Sequence, residues 1–514
     1  MTLYHVLKPV PDQPWPLMDV ARTRRQERDL ACRLPPHALL ERAGRSVYRL
    51  SAALAPCAQR VWVACGAGHN GLDGLIAATH WAQHFGRVGR GTVTVTAWPP
   101  HPSTATDAHH WRERAHAAGV RFEATAPSDP DIAIDALLGI GLNQPVRGDA
   151  ATCIQQLQSA NCPVLCIDVP SGLDADTGSW RADTKLQASA QRHTLSLLTL
   201  KPGLFTHMGR AAAGDIWFDD LDTTQPGAHG PDDATAWLYA PNRTLPVGPP
   251  PHAHKGLRGD LIVIGGQEDV ATGSMRGAAI LAARAGLKAG AGRVFVGLLT
   301  TSPGLATIGH DPLQPELMFK PPAALVESSS SSAVMVCGCG GGDSITRWLP
   351  DIMTREGPLV LDADALNAIA ASESLQLALQ QRQTQGRLSV LTPHPLEAAR
   401  LLGMSTAAIQ SNRLEAAKRL ANHYRCVVVL KGSGTVVAKP GATPSINPTG
   451  NGWLATGGTG DVLAGLIGAG LCDGQIEPMH AVQRAVFQHG LTASERPARQ
   501  GSFVASDVVA RWQP

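Results

Sequence analysis

The sequence predicts an α/β protein built from two domains. Its 514 residues exceed what a single hydrophobic core usually organises. In both halves, short runs of Val, Ile and Leu alternate with Ala-rich stretches that have helical spacing, and Gly-rich or polar loops follow the apolar runs. Continuous apolar strands alternating with helices are typical of a parallel sheet that is covered on both faces.

Composition restricts the classes of partner. The hydrophobic fraction of 44% and charged fraction of 17% describe an ordinary globular protein. A net charge of +2 without a basic run gives no reason to expect nucleic acid. No apolar segment reaches the roughly 20 residues that a membrane helix needs, so no membrane partner is expected. The first thirty residues contain Pro, Asp and Arg instead of an apolar signal core, and we therefore expect a cytoplasmic location.

The ten cysteines do not change this expectation. Cys162 and Cys166 bracket a predicted buried strand, and Cys337 and Cys339 lie in a Gly-rich loop. Neither pair has the spacing of a zinc site, and buried free thiols are common in a reducing compartment. We predict that cysteine binds no metal here.

The first half contains four predicted strands and two clear helical patterns between them. The strands are Val61–Cys65, Val93–Ala97, Ile132–Leu138 and Val164–Val169, and the helical patterns are Leu75–His84 and Ala108–Ala118. We place the first domain at residues 1–221.

The second half repeats this alternation. Its predicted strands are Leu261–Ile264, Val294–Leu298, Val334–Val336, Leu359–Leu361, Val390–Leu391 and Val427–Leu430. Residues 222–253 are rich in Pro, Gly, Asp and Thr without a sustained period, which indicates an interdomain connection. The second domain is then residues 254–514. The halves share no internal repeat, so two α/β domains of different design are expected.

Polar and Gly-rich loops follow the predicted strands in both halves. Ligands in such sheets bind beyond the carboxyl ends of the strands. The first half offers Gly66–Gly74, Asp135 with Gly139–Asn143, and Asp168–Gly172; the second offers Gly265–Gly266, Gly338–Gly342, Asp362–Asp364, Thr392–His394 and Lys431–Thr435. So many loops at equivalent strand ends predict one ligand site in each domain.

The segment Asn451–Gly465, with the sequence NGWLATGGTGDVLAG, is the most informative. Glycines without side chains let backbone N–H groups converge on an anion, and the apolar run after them predicts a helix whose N-terminus points there. Asp461 would be repelled by a phosphate, so it is better suited to accept a proton or hold a metal. An anion nest with a base beside it is the minimum equipment for phosphoryl transfer to a hydroxyl. A Gly-rich turn capped by Asp is the open alternative for the glycines alone.

Lys431–Thr435, with the sequence KGSGT, follows a predicted strand and has the character of a nucleotide-contacting turn. It lacks the spacing of a Walker P-loop, and by itself it could be a hairpin with an exposed lysine. Together with the downstream GGTGD segment it resembles the ribokinase-like superfamily. That resemblance implies a backbone anion hole at Gly-Thr-Gly and an Asp that activates an acceptor hydroxyl.

Further motifs in one order narrow the resemblance to the ADP-dependent NAD(P)H-hydrate dehydratases, over about residues 250–510. The motifs are His254–Gly256, Gly265–Gly266, Gly277–Ala279, Gly290–Gly292, Asp362–Asn367 and Thr392–Glu397. The resemblance implies that ADP transiently phosphorylates the hydroxyl of hydrated NADH or NADPH and that phosphate then leaves. This suits the residues because phosphate leaves more readily than water, while Asp461 takes the hydroxyl proton. Mg²⁺ is expected from the phosphoryl chemistry, without a named ligand set.

The resemblance also implies site residues in this half. The hydrate would contact Ala278, Gly340, His394 and Asp461, and the adenine nucleotide would contact Lys431, Gly432, Ser433, Gly434, Thr435 and Gly460. A lone histidine is more often structural, but the TPHP setting of His394 at a strand end favours the site. The sequence departs from the family at Gly338–Gly342 and Gly452–Leu454; neither departure removes a charged or catalytic group.

The N-terminal half resembles the NAD(P)H-hydrate epimerase, over about residues 15–220. The supporting segments are Leu39–Gly44, Gly66–Gly74, Asp135–Gly139, Arg147–Gly148, Ile167–Asp174, Thr194 and Lys201–Gly203. The whole chain then resembles a bifunctional NAD(P)H-hydrate repair enzyme. The implied fold is an N-terminal Rossmann-like three-layer α/β/α domain followed by a C-terminal ribokinase-like α/β domain.

The epimerase resemblance implies Asp168 as the acid/base and K⁺ held by the oxygen donors of Asn70, Asp135 and Ser171. The implied substrate contacts are His69, Asn70, Gly71, Leu72, Asp73, Gly139, Ile140, Gly141, Leu142, Asn143, Gln144, Pro145 and Asp168. A strand-end turn with a capping Asp is the simpler alternative for Asp168. Leu72 replaces a family glycine and Ile140 a family threonine, so weakened binding is expected and loss of epimerase activity stays open.

Two other interpretations remain open at this stage. One is a ribokinase-like small-molecule kinase, such as a hydroxymethylpyrimidine or hydroxyethylthiazole kinase, with a noncatalytic N-terminal half. The other makes the N-terminal half a ligand-sensing or scaffold module, because of its altered Leu72 loop. In the main interpretation the partners are small molecules, hydrated NADH or NADPH and ADP, and we expect a homo-oligomer.

Overall fold

The computed structural model describes residues 3–8, 13–99, 101–142, 144–189, 191–223, 233–241, 254–269, 273–300, 309–328, 330–495 and 501–512. The chain divides into two compact units, Met1–Trp237 and Leu238–Pro514. Much of the predicted connection at residues 222–253 lies outside the described residues, and a short strand, Ala236–Leu238, falls within it. None of the helices described is long and apolar enough to cross a bilayer.

Unit 1 has a mostly parallel sheet with helices between its strands. The strands of this sheet are β1 (Tyr4–His5), β3 (Arg60–Cys65), β4 (Thr92–Ala97), β5 (Arg121–Phe122), β6 (Ile132–Ala136), β7 (Val164–Ile167), β8 (Arg192–Leu197) and β9 (Asp215–Asp219); the short strand β2 (Trp15–Leu17) lies in the same unit but outside this sheet. The helices are α1 (Val20–Ala31), α2 (Ala38–Leu54), α3 (His69–Val88), α4 (Ala105–Ala117), α5 (Gly148–Ser159) and α6 (Gly209–Ala213), with short 3₁₀ turns at Pro102–Thr104 and Pro202–Leu204.

The strand order in unit 1 is β1-β9-β8-β7-β6-β3-β4-β5. All neighbours are parallel except β1, which pairs with β9 antiparallel, an edge that the sequence did not predict. One core cluster packs α2 and α3 on the sheet and a second packs around α5, so both faces are covered as predicted. The order reverses between β3 and β6, which creates the crevice where such sheets bind ligands.

The four predicted strands of unit 1 are confirmed, but two of them end earlier than predicted. β6 ends at Ala136 because the backbone turns there, and the N–H of Leu137 donates to the carboxylate of Asp135. β7 ends at Ile167, where the next residue, Asp168, has a left-handed backbone with φ 65°. Both early ends bring a carboxylate to the edge of the sheet.

Unit 2 has a larger sheet that is parallel in its centre. Its strands after β10 (Ala236–Leu238) are β11 (Asp260–Asp269), β12 (Gly273–Ser274), β13 (Arg293–Thr300), β14 (Met318–Phe319), β15 (Val334–Cys337), β16 (Leu359–Leu361), β17 (Ser389–Leu391), β18 (Val427–Leu430), β19 (Val436–Ala438) and β20 (Ser445–Ile446). The order from β14 onward is β14-β13-β11-β15-β16-β17-β18-β19-β20.

The helices of unit 2 lie mostly between consecutive strands. They are α7 (Arg276–Lys288), α8 (Pro322–Ser328), α9 (Leu349–Thr354), α10 (Asp364–Ala370), α11 (Glu373–Thr384), α12 (Pro395–Leu402), α13 (Thr406–Ser411), α14 (Arg413–Tyr424), α15 (Thr459–Cys472), α16 (Pro478–Ser494) and α17 (Ala505–Arg511), with 3₁₀ turns at Asp343–Ile345 and Gly452–Leu454. The six predicted strands are confirmed. Strands β18, β19 and β20 pair antiparallel, which was not predicted.

Small residues bring α15 unusually close to α7 and to the sheet. A Cβ added to Gly465 would overlap the carbonyl oxygen of Ala282 on α7. A Cβ on Gly468 would come within 2.7 Å of side-chain atoms of Leu261 and Val336. The apolar residues of α15 lie in the main core of the unit. Packing this tight leaves the helix little room to shift along its axis.

We expect the substitution Gly465→Ala to destabilise unit 2 by about 1–3 kcal/mol, because the new methyl group must displace the backbone of α7. Calorimetric melting would show a lower transition temperature for one of the transitions. Gly474→Ala is the matched control, since no atom lies within 4 Å of a Cβ there. An unchanged melting profile for Gly465→Ala would show that α7 and α15 are not tightly constrained.

Candidate active sites

The N-terminus of α15 is built as the glycine pattern predicted. Gly458 has a left-handed backbone with φ 88°, and the helix begins at the next residue. The hydroxyl of Thr459 donates to the carbonyl oxygens of Leu454 and Thr456, which ties the preceding turn to the helix start. Asp461 lies in the first helical turn. The first N–H groups of a helix have no intrahelical partner, so this end can bind an anion.

Asp461 lies in an acidic and largely enclosed environment. The Sγ atom of Cys339 and carboxylate oxygens of Asp362 and Asp461 all lie within 4.8 Å of one another. Burial, followed by the negative charge of Asp362, raises the pKa of Asp461 to about 6. A carboxylate with that pKa is a better proton acceptor near neutral pH than an ordinary aspartate.

The partly buried Lys431 and the buried Asp362 form an ion pair beside this carboxylate. Nζ of Lys431 donates to Oδ1 of Asp362 at 2.6 Å, and the hydroxyl of Thr392 donates to the same oxygen at 2.7 Å. A Cβ placed on Gly460 would lie 3.3 Å from Nζ of Lys431, so the lysine faces the start of α15. The structure therefore brings together Lys431, Gly460 and Asp461, which the sequence assigned to one site.

The segment Lys431–Thr435 connects the antiparallel strands β18 and β19, as the sequence interpretation required. The side chain of Arg413, at the start of α14, stabilises this turn by hydrogen bonds to its backbone. Its guanidinium donates to the carbonyl oxygens of Leu430 at 3.1 Å and Lys431 at 3.2 Å. Burial lowers the pKa of Arg413 to about 10, which leaves the guanidinium charged at neutral pH. Gly432, Ser433 and Gly434 lie within this supported turn.

Gly340 follows β15 and His394 follows β17, two strands with β16 between them, and Ala278 lies on α7. Gly340 has φ 58°, and a Cβ there would come within 2.9 Å of Cβ of Ala278 on α7. His394 follows β17, and the backbone N–H of Lys431 donates to the carbonyl oxygen of the preceding residue, Pro393. The imidazole of His394 also caps the N-terminus of α12. Its Nδ1 accepts from the N–H groups of Leu396 and Glu397, and its Nε2 lies 3.1 Å from a carboxylate oxygen of Glu397.

In unit 1, Asp168 pairs with Lys201. Nζ of Lys201 is fully buried and donates to Oδ1 of Asp168 and to the carbonyl oxygens of Leu197 and Thr199. The N–H of Leu197 donates to Oδ1 of Asp168 at 3.1 Å. No helix begins at Asp168, so its carboxylate does not cap one. A carboxylate beside a buried ammonium can exchange a proton without losing its position.

Asp73 is a second acid in the same region. It lies on α3, is 9% exposed, and its Oδ1 atom has no hydrogen-bond partner. Burial, followed by the charges of Asp168 and Glu27, raises the pKa of Asp73 well above its usual range. Burial therefore makes Asp73 easier to protonate than an ordinary aspartate, and it lies near the ion pair of Asp168 and Lys201.

The three predicted K⁺ ligands lie near the carboxyl ends of β6 and β7: Asp135 on β6, Ser171 in the loop after β7 and Asn70 in the first turn of α3. The hydroxyl of Ser171 donates to Oδ1 of Asp135 at 2.5 Å, and its N–H donates to Oδ2 at 2.9 Å. A Cβ placed on Gly139, in the loop after β6, would lie 3.4 Å from Oδ1 of Asn70. The Nδ2 atom of Asn70 is buried without a hydrogen-bond partner. The carboxylate, hydroxyl and amide therefore meet around one strand end.

The remaining predicted epimerase contacts divide into two groups. His69, Asn70 and Gly71 form the first turn of α3, and Gly139, Ile140, Gly141, Leu142, Gln144 and Pro145 lie in the loop after β6; Asn143 lies outside the described residues. Leu72 is 2% exposed and belongs to the core cluster around α3. Its branched side chain therefore fills the interior instead of projecting into solvent.

Sequence patterns missed several residues that the structure places in these sites. Asp362, Arg413, Lys201 and Glu27 were not assigned any role, and neither was Arg24 of α1, which lies 3.6 Å from a Cβ placed on Gly141. Asp362 and Lys201 belong to motifs that support the family resemblance. The motifs placed them near the sites but did not indicate that each forms an ion pair there. Arg24, Glu27 and Arg413 gave no signal, because each lies on a helix distant in sequence from the loop it approaches.

Together these features define an enzyme with one α/β site for phosphoryl transfer and another for proton transfer. Comparison with known proteins supports this class of enzyme. A family model described as NAD(P)H-hydrate dehydratase matches residues 261–513, and one described as YjeF-related protein N-terminus matches residues 36–203. The bifunctional NAD(P)H-hydrate repair enzyme Nnr of Escherichia coli K12 is 35% identical over 98% of this chain and 94% of its own length. That of Coxiella burnetii is 33% identical over 91% and 93%.

A crystal structure of the ADP/ATP-dependent NAD(P)H-hydrate dehydratase from Bacillus subtilis, co-crystallised with ATP and Mg²⁺, is 30% identical and covers 51% of this chain and 92% of that chain, with a TM-score of 0.41. The full-length identity to curated relatives shows the family. The chain belongs to the bifunctional NAD(P)H-hydrate repair enzymes. The predicted family, fold class and bifunctional enzyme class are confirmed, and the small-molecule kinase alternative is not supported.

We expect Asp461→Asn to lower the ADP-dependent recovery of reduced nicotinamide from its hydrate by roughly 10²–10⁴-fold, because the amide cannot accept the hydroxyl proton. The recovered absorbance of the reduced nicotinamide measures the rate. Asp473→Asn, at the other end of α15 and exposed, is the matched control and should keep the wild-type rate. A near wild-type rate for Asp461→Asn would show that another group is the base.

The pKa of about 6 for Asp461 also fixes the direction of a pH effect. The base is active when deprotonated, so the dehydration rate should be flat above about pH 7 and fall about tenfold per unit below about pH 6. The measurement is the pH profile of kcat with saturating ADP, corrected for uncatalysed hydrate breakdown. A flat profile down to pH 4.5 would contradict the assignment.

Proposed function

We propose that unit 2 dehydrates the S form of hydrated NADH or NADPH at the expense of ADP, giving the reduced dinucleotide, AMP and phosphate. The observation that carries this is the placement of Asp461 beside Gly460 and Lys431 at the N-terminus of α15. In the first step the 6-hydroxyl oxygen attacks the terminal phosphorus of ADP, its proton goes to Asp461, and AMP leaves. In the second step phosphate departs with the C–O bond electrons, the neighbouring ring carbon loses a proton, and the ring double bond returns.

Each contact in the site has a role in this chemistry. The free N–H groups at the start of α15 stabilise negative charge on the transferred phosphoryl group. Lys431 supplies a positive charge that pairs with Asp362 and faces the same helix start. The turn Lys431–Thr435, fixed by Arg413, would bind the adenine nucleotide, and Ala278, Gly340 and His394 would bind the hydrate. The raised pKa of Asp461 suits a base that must be regenerated at neutral pH.

The donor atoms near Asp461 also fit a magnesium ion. Mg²⁺ takes oxygen ligands, and Asp362 offers Oδ2, which is not used by Lys431 or Thr392. Cys339 does not fit, because a thiol is a poor magnesium ligand. We assign Asp362 as the protein ligand, with phosphate oxygens completing the site. The ion would neutralise charge on the phosphates during transfer.

We assign the epimerisation of the R and S hydrates to unit 1, with Asp168 as the acid/base. Lys201 would keep Asp168 in place, and Asp73, whose pKa is raised by burial, would assist proton transfer nearby. The oxygen atoms of Asn70, Asp135 and Ser171 form a hard donor set that fits K⁺, which would fix the loop ends that frame the site. A homo-oligomer and a cytoplasmic location stay predictions.

The whole function is tested with a mixture of R and S hydrates, the full-length protein and ADP. Recovery of both epimers as reduced dinucleotide is expected. No recovery of either form would overturn the proposal, and accumulation of phosphorylated hydrate and AMP without return of the reduced dinucleotide would indicate a simple kinase.

The substitution Asp168→Asn should remove epimer exchange while leaving dehydration of the S hydrate at its wild-type rate, so that the R hydrate accumulates. Chromatographic separation of the two epimers follows both processes in one reaction. Asp149→Asn, in the first turn of α5, is the control of equal charge change. Exchange at the wild-type rate in Asp168→Asn would show that Asp168 is not the acid/base, whereas a wild type without exchange above the uncatalysed rate would favour the ligand-sensing alternative for unit 1.

Replacing K⁺ by choline in the buffer should slow epimer exchange and leave dehydration unchanged, since the donor set lies only in unit 1. The same comparison in Ser171→Ala should show a weaker dependence on K⁺, because one oxygen ligand is gone. Exchange that is indifferent to K⁺ in the wild type would contradict the assigned ligands.

A further inference from the structure

An apolar cavity of about 190 Å³ adjoins the glycine loop of unit 1, on the side away from Asp168 in strand order. It lies at the ends of β3 and β4 and under α4. Its lining is apolar or aromatic at Cys65, Leu75, Trp98, Ala108 and Phe122, with Arg112 and His109 at its polar part. No residue assigned to the acid/base or K⁺ chemistry lines this cavity.

The loop between β3 and α3 contains three glycines spaced as Gly66-x-Gly68-x-x-Gly71. A Cβ on Gly66 would overlap the carbonyl of Leu137, and one on Gly71 would overlap the carbonyl of Gly66. Gly68, by contrast, has open space around its Cβ position. The outer glycines therefore permit the tight turn, while the middle one leaves the backbone open to a ligand at the start of a 20-residue helix.

This arrangement fixes the direction in which a dinucleotide can lie. With a pyrophosphate at the N-terminus of α3, one nucleoside points over β6 and β7, toward Asp168, and the other points over β4, toward the cavity. The reacting ring must be at Asp168, so the adenosine end is left for the cavity. Its apolar walls and Trp98 suit a purine ring.

The residues around the cavity indicate how the ribose of the adenosine end would be recognised. Domains that prefer a free ribose 2′-hydroxyl use a carboxylate at the end of the second strand, whereas an arginine accommodates a 2′-phosphate. Residues 98–106, which follow β4, contain no Asp or Glu. Arg112 instead lines the cavity, and its guanidinium is held over the ring of Phe122, 4.6 Å from the centroid.

We infer that this cavity binds the adenosine end of the hydrated dinucleotide and that Arg112 contacts a 2′-phosphate, so that unit 1 prefers the hydrate of NADPH. The inference rests on the proposed epimerase function of unit 1. It adds the orientation of the substrate and a specificity residue that is remote from the reacting ring.

The test compares epimer exchange of the NADPH and NADH hydrates in the full-length protein. Arg112→Gln should raise KM for the NADPH hydrate roughly ten- to hundredfold, the value of a charge-assisted contact, with kcat unchanged and the NADH hydrate affected less than about twofold. Arg112→Lys should restore part of the difference. Ala108→Phe, which fills the cavity, should raise KM for both hydrates.

Arg114→Gln is the matched control on the same helix, because Arg114 stacks on Trp111, outside the cavity. Equal changes for both hydrates in Arg112→Gln, or an unchanged KM in Ala108→Phe, would overturn the inference. If the wild type exchanges neither hydrate, the proposed epimerase function fails instead. Calorimetric titration with adenosine 2′,5′-bisphosphate then decides the cavity: a binding event lost in Arg112→Gln supports it, and identical isotherms refute it.

Discussion

The close approach of α15 to α7 determines where the proposed phosphoryl-transfer site lies. Gly465 and Gly468 have no room for a side chain, because the backbone of Ala282 and the strands β11 and β15 occupy that space. These contacts fix the position of α15 on the sheet. The first turn of the helix then lies next to the loops that follow β16 and β18. Asp461 and Lys431 meet for this reason, although thirty residues separate them in sequence.

The two proposed sites share an electrostatic arrangement, a lysine–aspartate ion pair with a second aspartate nearby. Each holds a lysine against an aspartate, Lys201 with Asp168 and Lys431 with Asp362. Each then places a further aspartate, Asp73 or Asp461, where burial and a neighbouring carboxylate raise its pKa. The lysine stabilises one charged carboxylate and the enclosed setting makes the second one easier to protonate. In both units the raised pKa therefore belongs to an aspartate that lies near a lysine–aspartate ion pair.

The departures from the family motifs acquire a physical meaning in the structure. Leu72 belongs to the core around α3, so it contributes packing at a position where the family has glycine. Cys339 is fully buried, and burial raises the pKa of its thiol well above the usual range. It therefore stays a neutral neighbour of Asp362 and Asp461 and adds no charge to the site. Both changes leave the ionisable groups of the sites in place.

The sequence by itself determined the α/β class, ten of the strands without the parallel strands β8 and β9, the two-domain organisation and the glycine turn before α15. These follow from local patterns: apolar runs, glycine spacing and residues at strand ends. Only the tertiary structure decided that Asp362 pairs with Lys431, that Arg413 supports the nucleotide turn, and that Arg112 lines a cavity beside the Gly66–Gly71 loop. Such contacts join residues from separate helices and strands. The antiparallel pairing of β1 with β9 and of β19 with β18 and β20 likewise depends on how the strands are arranged in the sheet. No local pattern records these distances, because packing of the whole sheet sets them.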